Sequence, residues 1–339
     1  MNKVLITGGT GYVGSHTAVE FIEAGFEVVI IDNLSNSKIE VLDRIEKITG
    51  VKPEFHEFDL SDNQKTADFF QKNKNFDVII HFAAYKAVGE SVQKPLMYYR
   101  NNLNSLMNIL QGMKDYQIEN LIFSSSCTVY GQPEKLPVTE KSPIIKANSP
   151  YGNTKQIAEE IIFDTINSTK NLKSIALRYF NPIGAHKSAL IGELPLGVPN
   201  NLIPYVTQTV AGIREQLSVF GDDYNTPDGT AIRDYIHVVD LAKAHLVASE
   251  RLISNKNKTN FETFNIGTGN GNSVMEIINT FEEVTGKKIN YKISPRREGD
   301  IEQVWADTTY ANKELGWKTE LSLADALLSS WNWQKKLMS

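Results

Sequence analysis

Short apolar runs alternate with longer amphipathic ones through the first half of this 339-residue chain. "KVLIT" at 3–7 leads into a helical pattern from about Gly14 to Ala24, and "EVVIID" at 27–32 into a second, from about Ser37 to Ile48. "EFHEFD" (54–59), "DVIIHFAA" (77–84), "NLIFSSS" (120–126) and "SIALRYF" (174–180) follow, most of them separated by helical stretches. β-Branched runs that are apolar on both faces and joined by helices predict parallel strands covered on both sides. The expected fold class is therefore α/β, a Rossmann-type doubly wound parallel sheet.

After about Asn181 this rhythm breaks. Residues 181–235 are rich in Pro, Gly and Asn, as in "NPIGAH", "LPLGVPNNLIP" and "NTPDGT". "FETFNIGTG" (261–269) reads as a strand returning to the main sheet, with helices after Ser273 and from Ala324. The expected organisation is a sheet domain over 1–180, rejoined by a strand near 235–270, and a smaller, discontinuous lobe within 181–339.

The first strand runs into "TGGTGYVGSH", which sets Gly8, Gly11 and Gly14 in GxxGxxG spacing between a strand and a helix. In that context each glycine has a task. The first permits the tight turn, the second lets backbone approach a pyrophosphate, and the third lets helix and strand pack closely. The helix N-terminus then offers free N–H groups to phosphate. Asp32 ends the second strand, where a carboxylate accepts from ribose hydroxyls and repels a 2′-phosphate; "DNLSNS" offers no arginine to welcome one. NAD is favoured over NADP. Asp59, at the end of the third strand, is placed either to meet the adenine or to cap its own loop.

"SPYGNTK" puts Tyr151 and Lys155 four residues apart after Pro150, on one helix face, downstream of the serine run Ser124–Ser126. A free tyrosine, with a pKa of about 10, is a poor base at neutral pH. An ammonium group nearby and the positive ring of NAD⁺ would both favour phenolate. Ser126, ending its strand, can share the same substrate oxygen.

Bulk composition narrows the partners. A net charge of −5 leaves no basic field for a nucleic acid backbone. Cys127, the sole cysteine, excludes an internal disulfide, and the six histidines contain no i,i+4 pair, so no metal site is expected. With no run of ~18 apolar residues and no leader pattern, the expectation is a soluble, cytoplasmic protein with no membrane contact.

Longer segments carry a resemblance. "TGGTGYVGSH", "HFAAYKAVGESVQKPL", "FSSSCTVYG", "YGNTK", "RYFNPIGAH", "GVPNNLIPYV", "VFGDDYNTPDGTAIRDYIHVVDLA", "NIGTG" and "PRREGD" together resemble, essentially end to end, the extended short-chain dehydrogenase/reductases and within them the UDP-glucose 4-epimerases. The resemblance implies reversible interconversion of UDP-galactose and UDP-glucose. The sugar is oxidised at C4 to a 4-keto form, turns in the pocket and is reduced again, with NAD retained throughout. It implies Tyr151 as base, Lys155 as the cation that lowers the tyrosine pKa, and Ser126 as orienter of the 4-oxygen with Thr128 nearby. The cofactor would be lined by Gly8, Gly11, Tyr12, Val13, Gly14, Asp32, Asn33, Asp59, Leu60, Phe82, Ala83, Ala84, Lys86, Asn101, Ser124 and Tyr179.

For the UDP sugar the resemblance implies Arg233 and Arg297 at the diphosphate and Asp300 at the uridine ribose. Asn181, Asn201 and Leu202 would lie near diphosphate and nucleoside. Ser218, Val219 and Phe220 would run along the uracil, with Tyr235 also in the site. Val304 falls where the family carries a tyrosine or a smaller residue beside the sugar C2 substituent, so UDP-N-acetylhexosamines are expected to fit. A homodimer through helices near Leu96–Lys114 and Tyr151–Asn167 is also implied. The nucleotide-sugar 4,6-dehydratases place an acidic pair where this chain reads Cys127–Thr128, which disfavours dehydration. A UDP-glucuronate epimerase, a dehydrogenase that releases NADH, and a non-catalytic NAD(H) sensor remain as alternatives.

Overall fold

β-Branched and apolar residues fill the interior of the first strand and of those that pair with it, and helices follow with their apolar stripes turned inward. The computed structural model of the chain describes residues 1–297 and 300–339. Its first elements are β1 (Lys3–Thr7), α1 (Tyr12–Glu23), β2 (Glu27–Asp32), α2 (Glu40–Thr49), β3 (Glu54–Glu57), α3 (Asn63–Lys72) and β4 (Val78–His81). Next come α4 (Val88–Gln93), α5 (Pro95–Tyr116), β5 (Asn120–Ser124), a single 3₁₀ turn (Cys127–Tyr130), α6 (Pro150–Ser168) and β6 (Lys173–Tyr179). The remainder comprises β7 (Asn181–Ile183), α7 (Leu202–Val210), β8 (Leu217–Phe220), β9 (Ile232–His237), α8 (Val238–Ile253) and β10 (Phe261–Ile266). It ends with β11 (Gly271–Ser273), α9 (Val274–Thr285), β12 (Tyr291–Ser294), β13 (Gln303–Val304), α10 (Thr309–Leu315) and α11 (Leu323–Met338).

Seven strands form one sheet in the order β10-β6-β5-β4-β1-β2-β3, every neighbouring pair parallel. Its order reverses beside β1, and in such sheets ligands bind beyond the strand C-termini at that switch point. One face is packed by α1, α2, α8 and α10 through Val19, Phe21, Ile45, Leu241 and Leu315, the other by α3, α5 and α6 through Phe69, Ile109 and Ile162. β10 reaches the sheet beside β6 after about eighty residues spent elsewhere, and α8 packs against α1.

The stretch read as irregular, 181–235, holds more regular structure than its composition suggested. β7, β9, β11 and β13 make a small sheet, and β8 pairs with β12 across some seventy residues, Ser218 opposite Lys292. A third apolar cluster, with Val206, Val219, Ile278, Phe281 and Trp331, sits under these strands. Other boundaries also move: α1 starts at Tyr12 rather than Gly14, α2 at Glu40, and β4 stops at His81. No helix of the described residues is long and apolar enough to cross a membrane.

Candidate active site

The glycine turn is built as close approach requires. Gly8 adopts a left-handed backbone (φ 71°), its N–H bonded to the Ile31 carbonyl at 2.7 Å, and a Cβ there would lie 2.9 Å from the Ala83 nitrogen. A Cβ on Gly14 would run into the Gly8 carbonyl oxygen and come within 2.8 Å of Gly9 Cα, so α1 can start this close to β1 only with glycine. No side chain caps α1 and its first turn carries no acid, which leaves its leading N–H groups for an anion. The Asp32 carboxylate accepts from the N–H groups of Thr10 (3.2 Å) and Leu34 (3.0 Å) and from Ser37 Oγ (3.3 Å), welding the end of β2 to the glycine turn. Asn33 donates to Asp59 (3.3 Å), and Asp59 also accepts from the Ser61 N–H (2.8 Å). Asp59 thus does cap its loop while facing the same space.

That space is a cavity of ≈ 870 Å³ beyond the C-terminal ends of β1, β2 and β4. Gly8, Gly11, Tyr12, Val13, Gly14, Asp32, Asn33, Asp59, Leu60, Phe82, Ala83, Ala84, Lys86, Asn101 and Tyr179 line it, together with Tyr151 and Lys155. Of the expected cofactor set only Ser124 lies just behind the wall, its Oγ 2.8 Å from Tyr179 Oη. A volume this large, with a pyrophosphate-sized glycine cradle and an acid at the end of β2, fits a dinucleotide. The residues present therefore fit NAD.

Sequence reasoning missed the opposite wall. Residues 191–201 run over the cavity; there Glu193 takes Lys86 at 3.2 Å and Asn201 Nδ2 at 2.5 Å, and Trp333 Nε1 donates to its carbonyl. These partners lie eight to about 140 residues away, so no local motif announces them. Asn102 was also overlooked beside Asn101. It accepts from the Tyr85 N–H and donates to Tyr85 O and Thr154 Oγ1, fixing α5 against α6.

Ser149 caps α6 by accepting from the Gly152 N–H (3.1 Å), and Pro150 opens it, so Tyr151 and Lys155 begin on a fixed first turn. Both are buried. Lys155 Nζ donates to the Ser124 carbonyl at 2.7 Å and stands 5.9 Å from the centroid of the Tyr151 ring. Burial pulls Lys155 down to about 8, with Glu159 opposing. Burial and then Tyr179 push the Tyr151 phenol well above its ordinary value, while the Ser126 hydroxyl pulls it down. The expected lowering by Lys155 is therefore not realised by the protein alone. Desolvation dominates in this enclosed position, and the ammonium is spent on a carbonyl rather than on the phenol. Ser126 Oγ accepts from the Thr128 N–H (3.2 Å) and turns its hydroxyl toward the Tyr151 phenol; Thr128 Oγ1 is buried with no partner. The Cys127 thiol is pushed up to about 12 by burial, which disfavours alkylation.

The substrate set falls into two groups. Arg233 and Tyr235 on β9, Asn181 on β7 and Val304 on β13 share the small sheet, with Asn181 opposite Tyr235 and Val304 opposite Arg233. Arg233 donates to the carbonyls of Ile232, Ile301 and Glu302, so one role is to hold the loop after Asp300. Val304 is packed with Val129, Tyr130, Phe180 and Cys127, next to Ser126. The second group is Ser218 and Phe220 on β8, with Arg297 5.8 Å over the Phe220 ring and paired to Asp300 at 2.8 Å. Val219 turns its side chain into the core, leaving only backbone for a base to run along. Leu202 likewise packs on that core, whereas Asn201 lines the cavity. Glu298 and Gly299 of "PRREGD" lie outside the described residues.

Fold and cavity define a dinucleotide-dependent enzyme of the Rossmann class, with a tyrosine–lysine pair in the cavity wall. The comparisons narrow this. A family model described as GDP-mannose 4,6 dehydratase matches residues 5–329. The UDP-glucose 4-epimerase of Bacillus subtilis is 49% identical over 98% of this chain and 96% of its own. Among solved structures, the UDP-glucose 4-epimerase of Stenotrophomonas maltophila, with bound NAD and formylated UDP-arabinopyranose, superposes with a TM-score of 0.95 at 45% identity, covering 100% of this chain and 99% of that one. That of Bifidobacterium longum, in complex with NAD+ and UDP, gives 0.94 at 46% identity, covering 99% and 98%. The chain belongs to the UDP-glucose 4-epimerase family, a group of NAD-dependent isomerases.

Proposed function

We propose that the chain interconverts UDP-galactose and UDP-glucose with Tyr151, Lys155 and Ser126 as its catalytic residues. The observation that carries this assignment is the convergence of Tyr151 and Lys155, from the first turns of α6, on the cavity that also holds the glycine cradle. NAD, when bound, supplies the group that accepts and returns the C4 hydrogen. Tyr151 takes the proton of the sugar 4-hydroxyl and gives it back; Ser126 donates to the same oxygen and Thr128 Oγ1 offers a second polar contact. Lys155 keeps a positive charge beside the cofactor ribose. Because burial alone pushes the phenol up, a working base requires the positive charge of oxidised cofactor in addition to Lys155.

The same reading gives Arg233, Arg297, Asp300, Asn181, Asn201, Tyr235, Ser218 and Phe220 to the UDP end, where guanidinium groups suit a diphosphate. It divides the chain into a sheet domain over 1–180 with β10 and a substrate lobe over the rest. It includes turnover of UDP-N-acetylhexosamines, supported by valine at 304. A homodimer is part of it, supported by Leu96, Met107 and Phe163, which stand exposed on α5 and α6; sedimentation of the purified chain at twice its monomer mass is the expected result. A cytoplasmic location completes it, supported by a single, unpaired cysteine.

The test is purified protein with UDP-galactose and no added NAD, followed by NMR and by absorbance near 340 nm. UDP-glucose should form without stoichiometric release of NADH, and Tyr151→Phe should abolish it. Absence of conversion with NAD⁺ supplied, in protein that binds it, would sink the assignment.

A further inference from the structure

Behind the serine run lies a buried ionic cluster that the chemistry above does not use. Glu159 follows Lys155 by four residues, as Lys155 follows Tyr151, so the three make one stripe along α6. All three are buried. Glu159 Oε1 accepts from Ser125 Oγ at 2.5 Å and from Arg178 Nε at 3.0 Å, and Oε2 accepts from Arg178 Nη2 at 2.5 Å. Arg178 Nη1 donates to Tyr130 Oη (3.0 Å), and Tyr130 donates on to Asn265 (2.6 Å). One carboxylate therefore connects α6, the serine run, β6, the 3₁₀ turn and β10.

The serines divide the labour. Ser124 gives its carbonyl to Lys155 and its hydroxyl to Tyr179, Ser126 turns its hydroxyl toward Tyr151 and the Thr128 N–H, and Ser125 between them is bonded to Glu159. Fixing Ser125 fixes the backbone that aims its two neighbours. The groups facing Lys155 are Tyr151 and Glu159 from its own helix, Tyr179 through Ser124, and His81 from β4, which burial keeps neutral. Glu159 is the anion among them.

We propose that Glu159 is a positioning residue for this reaction, holding the Ser124–Ser126 backbone through Ser125 and keeping Lys155 in its ammonium form. The proposal rests on the roles given above to Tyr151 and Lys155. It explains why a buried pair is placed here, where an apolar pair of similar volume would pack as well. Burial and bound NAD⁺ both favour loss of the Lys155 proton, and Glu159 opposes them.

The experiment measures kcat and KM for UDP-galactose between about pH 6 and pH 10 in wild type, Glu159→Gln, Glu159→Asp and the double variant Glu159→Gln/Arg178→Met. Glutamine keeps the shape and an acceptor for Ser125 but removes the charge. Its alkaline limb in kcat should fall by about one pH unit, with KM changed less than about twofold and activity near wild type on the acid side. Glu159→Asp should restore the limb. The double variant removes both charges together, so it answers the question if the single variant does not fold; its limb should fall by less than that of Glu159→Gln, because the cation opposing Glu159 goes with it. A folded variant whose kcat drops by one factor at every pH, with the limb unmoved, would overturn the proposal and leave Glu159 a packing residue. Tyr151→Phe assayed alongside separates the two layers. Conversion surviving there overturns the site reading and the proposal with it, whereas loss there with an unmoved Glu159→Gln limb overturns the proposal alone.

Discussion

Asp234 shows how a single side chain can explain two motifs. It sits in "RDYIH" on β9, fully buried, and accepts from Thr268 N–H and Oγ1 (both 2.8 Å), Gly269 N–H (3.1 Å) and Ala306 N–H (3.2 Å). The "NIGTG" turn wraps this carboxylate, and at Gly267 a Cβ would strike it. Asparagine would bring an amide donor against two backbone donors. Asp234→Asn should cost about 2–4 kcal/mol, read from urea unfolding, and loosen the lobe that carries Arg233. A loss under about 0.5 kcal/mol would show that the turn holds without it. Val304 is a different case at this scale, a choice of size rather than of bonding. Val304→Tyr should abolish N-acetylhexosamine turnover and spare the glucose pair; if wild type shows no N-acetyl turnover at high enzyme, size at 304 is not the filter.

At the scale of elements, legibility followed sequence distance. The strands of the main sheet and the glycine cradle could be read directly, since alternation, β-branching and glycine spacing are local signals. The pairing of β8 with β12 and the support of Glu159 by Arg178 and Ser125 could not, because they join residues separated by about 20 to 75 positions and carry no periodic mark. The raised tyrosine pKa of the protein alone was out of reach for a related reason: spacing reports proximity, while burial, set by the whole fold, pushes the phenol up until a cofactor charge is added. The cradle itself supplies a contrast between two helical glycines. Gly14→Ala must push α1 off the β1 turn, and should lose about 1–3 kcal/mol together with bound NAD, measured by thermal shift and by cofactor content after gel filtration. Gly89, in α4 with nothing within 4 Å of an added Cβ, should gain about 0.5–1 kcal/mol as alanine. Equal effects at both positions would remove the steric account.

For the whole molecule, the histidines set how the two layers respond to acid. His16 on α1 and His81 on β4 are pulled down by burial to about 3, and His237 and His245 to about 4. His237 lies where β9 meets α11, 3.3 Å from Ser329, and His16 and His245 keep a buried Nε2 with no partner. Each is neutral when folded and takes a proton near its ordinary pKa of about 6.5 when unfolded. Their contribution is complete above that value and is lost as the pH falls toward the folded values, since the unfolded chain binds the protons first. Between pH 6 and pH 5 these four groups can contribute a slope of up to about 5 kcal/mol per pH unit, and His186, also pulled down by burial, adds to it. The buried carboxylates of Glu20, Glu140, Asp234 and Asp240 oppose this, because burial pushes them up and protonation in acid favours the fold. Their opposition sets in as the pH falls through their raised folded values, so it grows toward the acid end of this range, whereas the histidine loss begins at its top; from pH 6.5 downward the net effect should be a loss. Urea midpoints should fall steadily over that interval, and His16→Gln combined with His245→Gln should flatten the fall by removing two of the four protons. A midpoint that stays level between pH 7 and 5 in wild type would mean the folded chain takes up as many protons as the unfolded one, and that these rings are not held neutral by the fold.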